Sequence, residues 1–164
     1  MGNIIRISGK IVFDPKDKTT KHKNQATWKR VAMVVFGEDD TCEYYGWFLN
    51  KRYNLLLNKP LRSSHITFIN DKVDDFTGDW EIVKEKWNGK TIEIRLDLDV
   101  RTNGLHWWLN IPNEYRGELQ SIRSELGLGR PFFGMHLSIG YARPGIQEEH
   151  SKYIHECISK GFIK

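Results

Sequence analysis

The chain has few of the features that mark three common classes of protein. It has two cysteines in 164 residues, Cys42 and Cys157, which lie far apart and lack metal-ligand spacing, whereas a secreted disulfide scaffold would carry more. No apolar run approaches the roughly 20 residues of a membrane span, and residues 1–13 alternate with Arg6 and Lys10, unlike a signal peptide. We expect free thiols with no structural role, and a soluble, cytoplasmic protein without a membrane partner.

The chain also has little excess of charge of either sign. The chain has 25 Lys and Arg against 21 Asp and Glu, a net charge of +4, which permits a phosphate-bearing partner without demanding one. A protein that binds long duplexes would usually be more basic. Part of the excess lies in residues 16–30, where Asp17 is the only acid. This basic segment is either a solvated loop or a lid that steers phosphates.

The apolar content, 39% with 12% aromatic residues, suits a single domain over residues 1–164 with a core of its own. Hydrophobic periodicity and turn residues predict an α+β fold. Besides two short strands described next, we expect strands at Ile4–Phe13, Trp28–Phe36, Thr91–Val100 and Leu105–Ile111, and helices at Glu43–Leu57, Asp79–Trp87, Asn113–Leu126 and Gln147–Lys160. This order suggests two similar lobes.

Two runs share the pattern histidine, apolar, hydroxyl, apolar: His65-Ile66-Thr67-Phe68 and His136-Leu137-Ser138-Ile139. The other histidines have no hydroxyl residue two positions on. In a strand, side chains alternate between faces, so each run puts its imidazole and hydroxyl on one side and its apolar residues on the other. Each run is predicted to be a small half-site backed by core.

Strand parity extends this picture to the neighbouring strands. Ile92, Ile94 and Leu96 share one face, as do Trp107 and Leu109, and the opposite faces are polar and aromatic. If these strands lie beside the motif strands, one concave, nucleotide-like groove is lined by His65, Thr67, His136, Ser138 and Trp108, with Arg95 as a further candidate.

Two histidines and two hydroxyls suit phosphodiester transfer. A neutral imidazole takes a proton from the attacking hydroxyl while a protonated one gives a proton to the leaving oxygen, and a pKa near ~6.5 makes both states available. The hydroxyls can donate to the non-bridging oxygens, and no metal or other cofactor is needed. Two alternatives stay open: ordinary half-buried strand residues, or a zinc site, although H-x-[ST] lacks a second close ligand.

The two H-x-[ST]-x strands, in a domain of this size, resemble the 2H phosphoesterase superfamily over about Pro60–Tyr141. The resemblance implies a bilobal fold with pseudo-twofold symmetry and flanking helices, and metal-independent chemistry at phosphates next to ribose. It also implies that His65 and His136 are the acid–base pair and that Thr67 and Ser138 hold phosphate. Ser138 stands where threonine is commoner, and it keeps the hydroxyl.

Within that superfamily, the size and the run Lys59-Pro60-Leu61-Arg62-Ser63-Ser64 before His65 look most like phage anti-CBASS nucleases. That resemblance implies attack of a 2′-hydroxyl on a 3′–5′ linkage of a cyclic di- or trinucleotide immune messenger, in the host cytoplasm if the chain is of phage origin. It implies no obligate protein partner. The other interpretations are a 2H enzyme acting on linear RNA ends or 2′,3′-cyclic phosphates, and a non-catalytic module that sequesters nucleotides or short RNA.

Substrate-binding residues follow from residue type alone. Trp108 is the best stacking candidate for a base, with packing on the outer surface as the alternative. Arg62 could reach a phosphate or cap the preceding turn. The aromatic residues Tyr44, Tyr45 and Trp47 are predicted to pack their helix, and Tyr141 is predicted to lie in the core because it shares parity with Ile139.

Overall fold

The computed structural model describes residues 3–15, 30–37, 40–60, 64–131 and 134–142. The predicted α+β class is confirmed. Within these ranges the elements are β1 (Ile4–Phe13), β2 (Val31–Val35), α1 (Thr41–Tyr53), β3 (His65–Asn70), α2 (Trp80–Trp87), β4 (Thr91–Asp97), β5 (Arg101–Thr102), β6 (His106–Asn110), a 3-10 helix (Asn113–Tyr115), α3 (Gly117–Glu125) and β7 (His136–Tyr141).

The strands form two antiparallel sheets, one of which is curled into a half-barrel. The first sheet has four strands in the order β3-β2-β1-β4, and the second has three in the order β5-β6-β7. The two motif strands, β3 and β7, each end the strand order of a sheet. Their Cα atoms approach one another within 8 Å, so the two motifs lie side by side.

The predicted strand parity is confirmed in the core. On β4, Ile92, Ile94 and Leu96 are buried, and on β6 so are Trp107 and Leu109. The apolar faces of both sheets and one side of each helix enclose this core, because burial of apolar surface is the main favourable term in folding.

The helix capped by Asp79 is confirmed. Its carboxylate accepts hydrogen bonds from the backbone N–H groups of Glu81 and Ile82, at 3.0 and 3.2 Å, which satisfies two donors of the first helical turn. The predicted stop is also present, since Gly89 follows the helix with φ +84°, a conformation that suits glycine.

Several predicted bounds were wrong. The first helix covers 41–53 rather than 43–57. The next residue, Asn54, caps its end in a left-handed conformation with φ 52°. The predicted strand 91–100 ends at 97, and the segment 113–126 divides into a 3-10 turn and a helix that begins at Gly117. The predicted helix 147–160 lies outside the described residues, as do residues 28–29 of the predicted second strand.

The first motif strand contains a β-bulge. In its pairing with β2, Thr67 lies opposite Met33 and Ile69 lies opposite Ala32, so Phe68 is an extra residue without a partner. Both Phe68 and Ile69 are buried. The alternation of faces therefore shifts by one residue from this point onward.

The second motif strand has the same irregularity at the same position. In its pairing with β6, Ser138 lies opposite Trp108 and Gly140 lies opposite Trp107, which leaves Ile139 as the extra residue. Burial along both strands follows one order: half-buried, buried, half-buried, buried, buried, half-buried. The motif strands therefore share a backbone irregularity as well as a sequence pattern.

A buried arginine on α3 holds the first bulge. Arg123 is 1% exposed, and its Nη1 donates to the Phe68 carbonyl at 2.6 Å. Its two Nη atoms also donate to the carboxylate of Asp74 at 3.0 and 2.9 Å, and its Nε donates to the Gly129 carbonyl at 2.9 Å. Asp74 in turn accepts from the backbone N–H of Asn70 at 3.0 Å. Because Phe68 lies outside the ladder, its carbonyl needs such a donor.

We expect Arg123→Met to lower the free energy of unfolding by about 3–5 kcal/mol, because the Asp74 carboxylate would be left buried without its cation. Urea denaturation measures this. The control is Lys59→Met, which breaks an ion pair to Glu43 whose side chains are 80% and 69% exposed and should leave stability nearly unchanged. Equal, small effects in the two variants would contradict a stabilising role for Arg123.

Candidate functional site

Both motifs present their histidine and hydroxyl on one side of the strand, as predicted. His65, Thr67, His136 and Ser138 are half-buried, whereas the residues between them are buried. We call this side of each sheet the motif face. It is the side away from the apolar core.

The bulges bring one further residue of each strand onto the motif face. After the extra residue, Asn70 in β3 and Tyr141 in β7 are half-buried and share the side of the histidines. The Tyr141 ring lies 6.5 Å from the ring of His106. The prediction that Tyr141 lies in the core was wrong, because it assumed an alternation that the bulge at Ile139 interrupts.

A cavity connects the two motifs. Thr67 of the first and His136 of the second line the same space of about 140 Å³, together with Asn70, Arg123 and Gly134 among others. One residue of each motif therefore borders a shared opening. His65 and Ser138 are not among the residues that line it.

A backbone carbonyl orients the ring of His136. Its Nδ1 lies 2.6 Å from the Gly134 oxygen. Since a carbonyl can only accept, Nδ1 carries the proton in this contact, and in the neutral ring Nε2 is the nitrogen that accepts a proton. The contact orients the imidazole and leaves Nε2 as the nitrogen free of this hydrogen bond.

Trp108 lies beside the second motif. It is the cross-strand neighbour of Ser138, its ring is 6.0 Å from that of His136, and its indole N–H donates to the Asn110 side chain at 3.0 Å. The residue is half-buried. The structure therefore brings Trp108 to the motif face, as its parity predicted.

His106 lies on the same face, across from Tyr141. Burial, and after it the positive charge of a protonated His136, lower the pKa of His106 below its ordinary value. The two imidazoles of the second sheet are therefore electrostatically coupled.

The two predicted arginines have different outcomes. Arg62 lies outside the described residues. Arg95 is on β4, at the opposite edge of the first sheet from β3. Its guanidinium lies 4.6 Å from the centre of the Tyr115 ring and 3.5 Å from the Glu93 carboxylate. Arg95 is therefore engaged away from the motif strands.

The aromatic residues of α1 differ from the prediction. Tyr44 and Trp47 are 55% and 59% exposed, and of the three aromatic residues named above only Tyr45 packs against the core. The reason is that the buried side of this helix is formed by other residues: Thr41, Cys42, Leu49 and Tyr53.

Cys42 has a structural contact that the sequence did not predict. It is buried, and its Sγ donates to the Ser138 carbonyl at 3.1 Å. The expectation of no structural role was therefore wrong for Cys42, because α1 packs against β7. Cys157 lies outside the described residues.

Among the described residues of the motif face, Asn70, Tyr141 and Arg101 were not predicted from the sequence. Asn70 and Tyr141 reach it through bulges, which leave no mark in a simple hydrophobic alternation. Arg101 reaches it because β5 pairs with β6, which sets Arg101 opposite Trp108. A strand of two residues is too short for any periodicity to reveal.

Comparisons with protein-family models, curated proteins and solved structures found no match to this chain. In the described ranges no group of three or more His, Cys, Asp or Glu side chains is placed to hold a metal ion. Nor does that part of the chain contain a helix of the length and apolarity needed to cross a membrane.

We expect His136→Asn to raise the pKa of His106 toward its ordinary value, because the variant removes a neighbouring positive charge. Asparagine retains an amide donor for the Gly134 carbonyl. A pH titration of the imidazole C–H signals by NMR measures the shift, and His65→Asn is the control that should leave His106 unchanged. An unaltered His106 midpoint in His136→Asn would contradict the coupling.

Proposed function

We propose that this protein is a metal-independent phosphodiesterase of the 2H phosphoesterase type that cleaves 3′–5′ linkages of cyclic di- and trinucleotides. The observation that carries the proposal is the pair of matching half-sites. Two strands with the same motif have the same bulge and the same burial order, and Thr67 and His136 line one cavity.

The chemistry needs one proton acceptor and one proton donor. The 2′-hydroxyl next to the scissile phosphate gives its proton to a neutral imidazole and forms a new bond from oxygen to phosphorus. The bond from phosphorus to the 5′-oxygen breaks, and a protonated imidazole gives that oxygen a proton. The product is a linear oligonucleotide with a terminal 2′,3′-cyclic phosphate.

His65 and His136 take these two roles. The contact from His136 Nδ1 to the Gly134 carbonyl supports the assignment, because it leaves Nε2 to exchange a proton with substrate. Thr67 and Ser138 lie two residues beyond the histidines on the same face. Their hydroxyls donate to the non-bridging oxygens, where the negative charge resides during the displacement.

The base of one nucleotide stacks on Trp108, whose ring is 6.0 Å from His136. Stacking of this kind contributes roughly 1–3 kcal/mol per base. Arg62, three residues before His65 in the chain, stays a candidate for contact with a phosphate oxygen on its residue type alone. The biological role that matches this substrate is removal of nucleotide messengers of bacterial immunity in the cytoplasm of a phage-infected cell.

We expect His65→Asn and His136→Asn each to lower turnover of a cyclic dinucleotide by roughly 10²–10⁴-fold, the usual contribution of a positioned acid or base. The measurement separates linear from cyclic products after incubation in EDTA, with cyclic di- and trinucleotides and nucleoside 2′,3′-cyclic phosphates as substrates. The control is His155→Asn, because His155 has no hydroxyl residue two positions on.

The outcomes of this experiment separate the three functions. Cleavage of cyclic oligonucleotides that depends on both histidines supports the proposal. Turnover of the 2′,3′-cyclic phosphates alone would assign the protein to RNA-end metabolism, and tight binding without turnover would make it a sequestering module. Loss of activity in EDTA, with rescue by one metal ion, would contradict the mechanism.

We further expect a cyclic dinucleotide with 2′-deoxyribose at the cleaved linkage to resist cleavage while still binding, because it lacks the attacking hydroxyl. Product analysis and isothermal titration calorimetry on the same sample measure both properties. Equal turnover of the ribose and deoxyribose substrates would mean that water attacks the phosphate directly.

A further inference from the structure

The two half-sites differ in the strand beside them. Opposite the first motif strand, β2 sets Val31, Met33 and Val35 across from Asn70, Thr67 and His65 respectively, and both Val31 and Met33 are buried. Opposite the second motif strand, β6 presents His106, Trp108 and Asn110, across from Tyr141, Ser138 and His136. The matching positions are apolar in the first sheet and polar or aromatic in the second.

This difference locates the residues that can recognise a substrate. Valine and methionine side chains offer no hydrogen bonds to a phosphate or a sugar beyond a weak thioether acceptor, whereas histidine, tryptophan and asparagine do. The polar residues of β6 are half-buried or exposed. Contacts that hold the substrate beyond the reacting phosphate are therefore concentrated on the second sheet.

Arg101 continues this polar row. It lies opposite Trp108, and Trp108 lies opposite Ser138, so the three residues cross the second sheet side by side. Residues directly opposite each other in antiparallel strands point to the same face. With strands roughly 5 Å apart, Arg101 lies about 10 Å from Ser138 between Cα atoms.

The guanidinium of Arg101 is weakly held by its protein neighbours. Its Nη2 is 4.0 Å from the Asp97 carboxylate, at the limit of an ion pair, and its side chain is 36% exposed. Its Nε is buried, and no described residue accepts a hydrogen bond from it. A buried donor without an acceptor costs free energy, so this side-chain position is not firmly held, and the exposed part of the side chain is accessible to a phosphate.

We propose that Arg101 binds a second phosphate of the substrate, separated from the reacting phosphate by the nucleoside that stacks on Trp108. This inference rests on the proposed function and narrows its substrate class. A second phosphate is present in every cyclic di- or trinucleotide and absent from a 3′–5′ dinucleoside monophosphate. Arg101 therefore selects cyclic oligonucleotides over substrates with one phosphate.

The test compares Arg101→Gln with wild type on two substrates, a cyclic dinucleotide and a 3′–5′ dinucleoside monophosphate, which has the attacking 2′-hydroxyl and a single phosphate. We expect kcat/KM for the cyclic dinucleotide to fall by about 10- to 100-fold, the worth of a hydrogen bond to a charged group, with the loss mainly in KM. Turnover of the single-phosphate substrate should change by less than about twofold, since it makes no contact that the variant removes.

The matched control is Arg6→Gln. Arg6 also forms an ion pair at 4.0 Å, to Glu93, and its side chain is 66% exposed. Arg6→Gln should leave kcat/KM for both substrates unchanged. Thermal unfolding of each variant checks the fold, and Arg101→Lys, which keeps the charge, should recover part of the lost activity and provides a second test if Arg101→Gln unfolds.

The inference and the proposed function fail in different ways. If wild type cleaves the cyclic dinucleotide and Arg101→Gln loses no activity, or loses it equally on both substrates, the second-phosphate site is overturned while the phosphodiesterase stands. If wild type cleaves neither substrate, the phosphodiesterase is overturned, and calorimetric binding of the two nucleotides decides the site. Weaker binding of only the cyclic dinucleotide to Arg101→Gln than to wild type would support the second-phosphate site, and unchanged binding would overturn it.

Discussion

The first half-site depends on the hydrogen bond from Arg123 to the carbonyl of Phe68, 2.6 Å long and buried. A bulge leaves that carbonyl outside the sheet ladder, and a buried acceptor without a donor is costly. Arg123 supplies the donor and uses Asp74 as its counter-ion at 2.9 Å. Because Asp74 also accepts from the backbone of Asn70, the pair holds the strand beyond the bulge. The position of Thr67, one residue before it, follows from this network.

The second half-site reaches the same backbone shape by other contacts. Here Cys42 of α1 donates to the carbonyl of Ser138, and Asn58 exchanges two backbone hydrogen bonds with Tyr141, at 2.8 and 3.1 Å. Gly140 permits this approach, because a Cβ there would lie 2.9 Å from the Asn58 oxygen. Different elements thus hold the two motif strands in the same bulged shape. The two strands therefore share a backbone shape and not any one contact.

Local patterns predicted the elements and missed the faces beyond the bulges. The alternation of Ile92, Ile94 and Leu96 and the cap at Asp79 depend on neighbours in sequence, and both are confirmed. The face on which Tyr141 lies depends on Ile139, the extra residue of the bulge, which has no partner in the pairing with β6. Whether a bulge forms depends on pairing with a strand that is distant in sequence. Arg101 reaches the motif face through the same kind of distant pairing, and the exposure of α1 aromatics depends on which side of the helix meets β7.

Catalysis and recognition make opposite demands on a duplicated site. In the proposed mechanism one imidazole takes a proton and the other gives one, and His65 and His136 are suited to these roles because they lie at the same position of matched, bulged strands. Holding a substrate in one direction needs the two sides to differ, since equal sides would bind it equally well in either orientation. The neighbouring strands supply that difference, because Met33 lies opposite Thr67 where Trp108 lies opposite Ser138. Under the proposed function, the likeness of the motif strands therefore serves proton transfer and the difference between their neighbours orients the substrate.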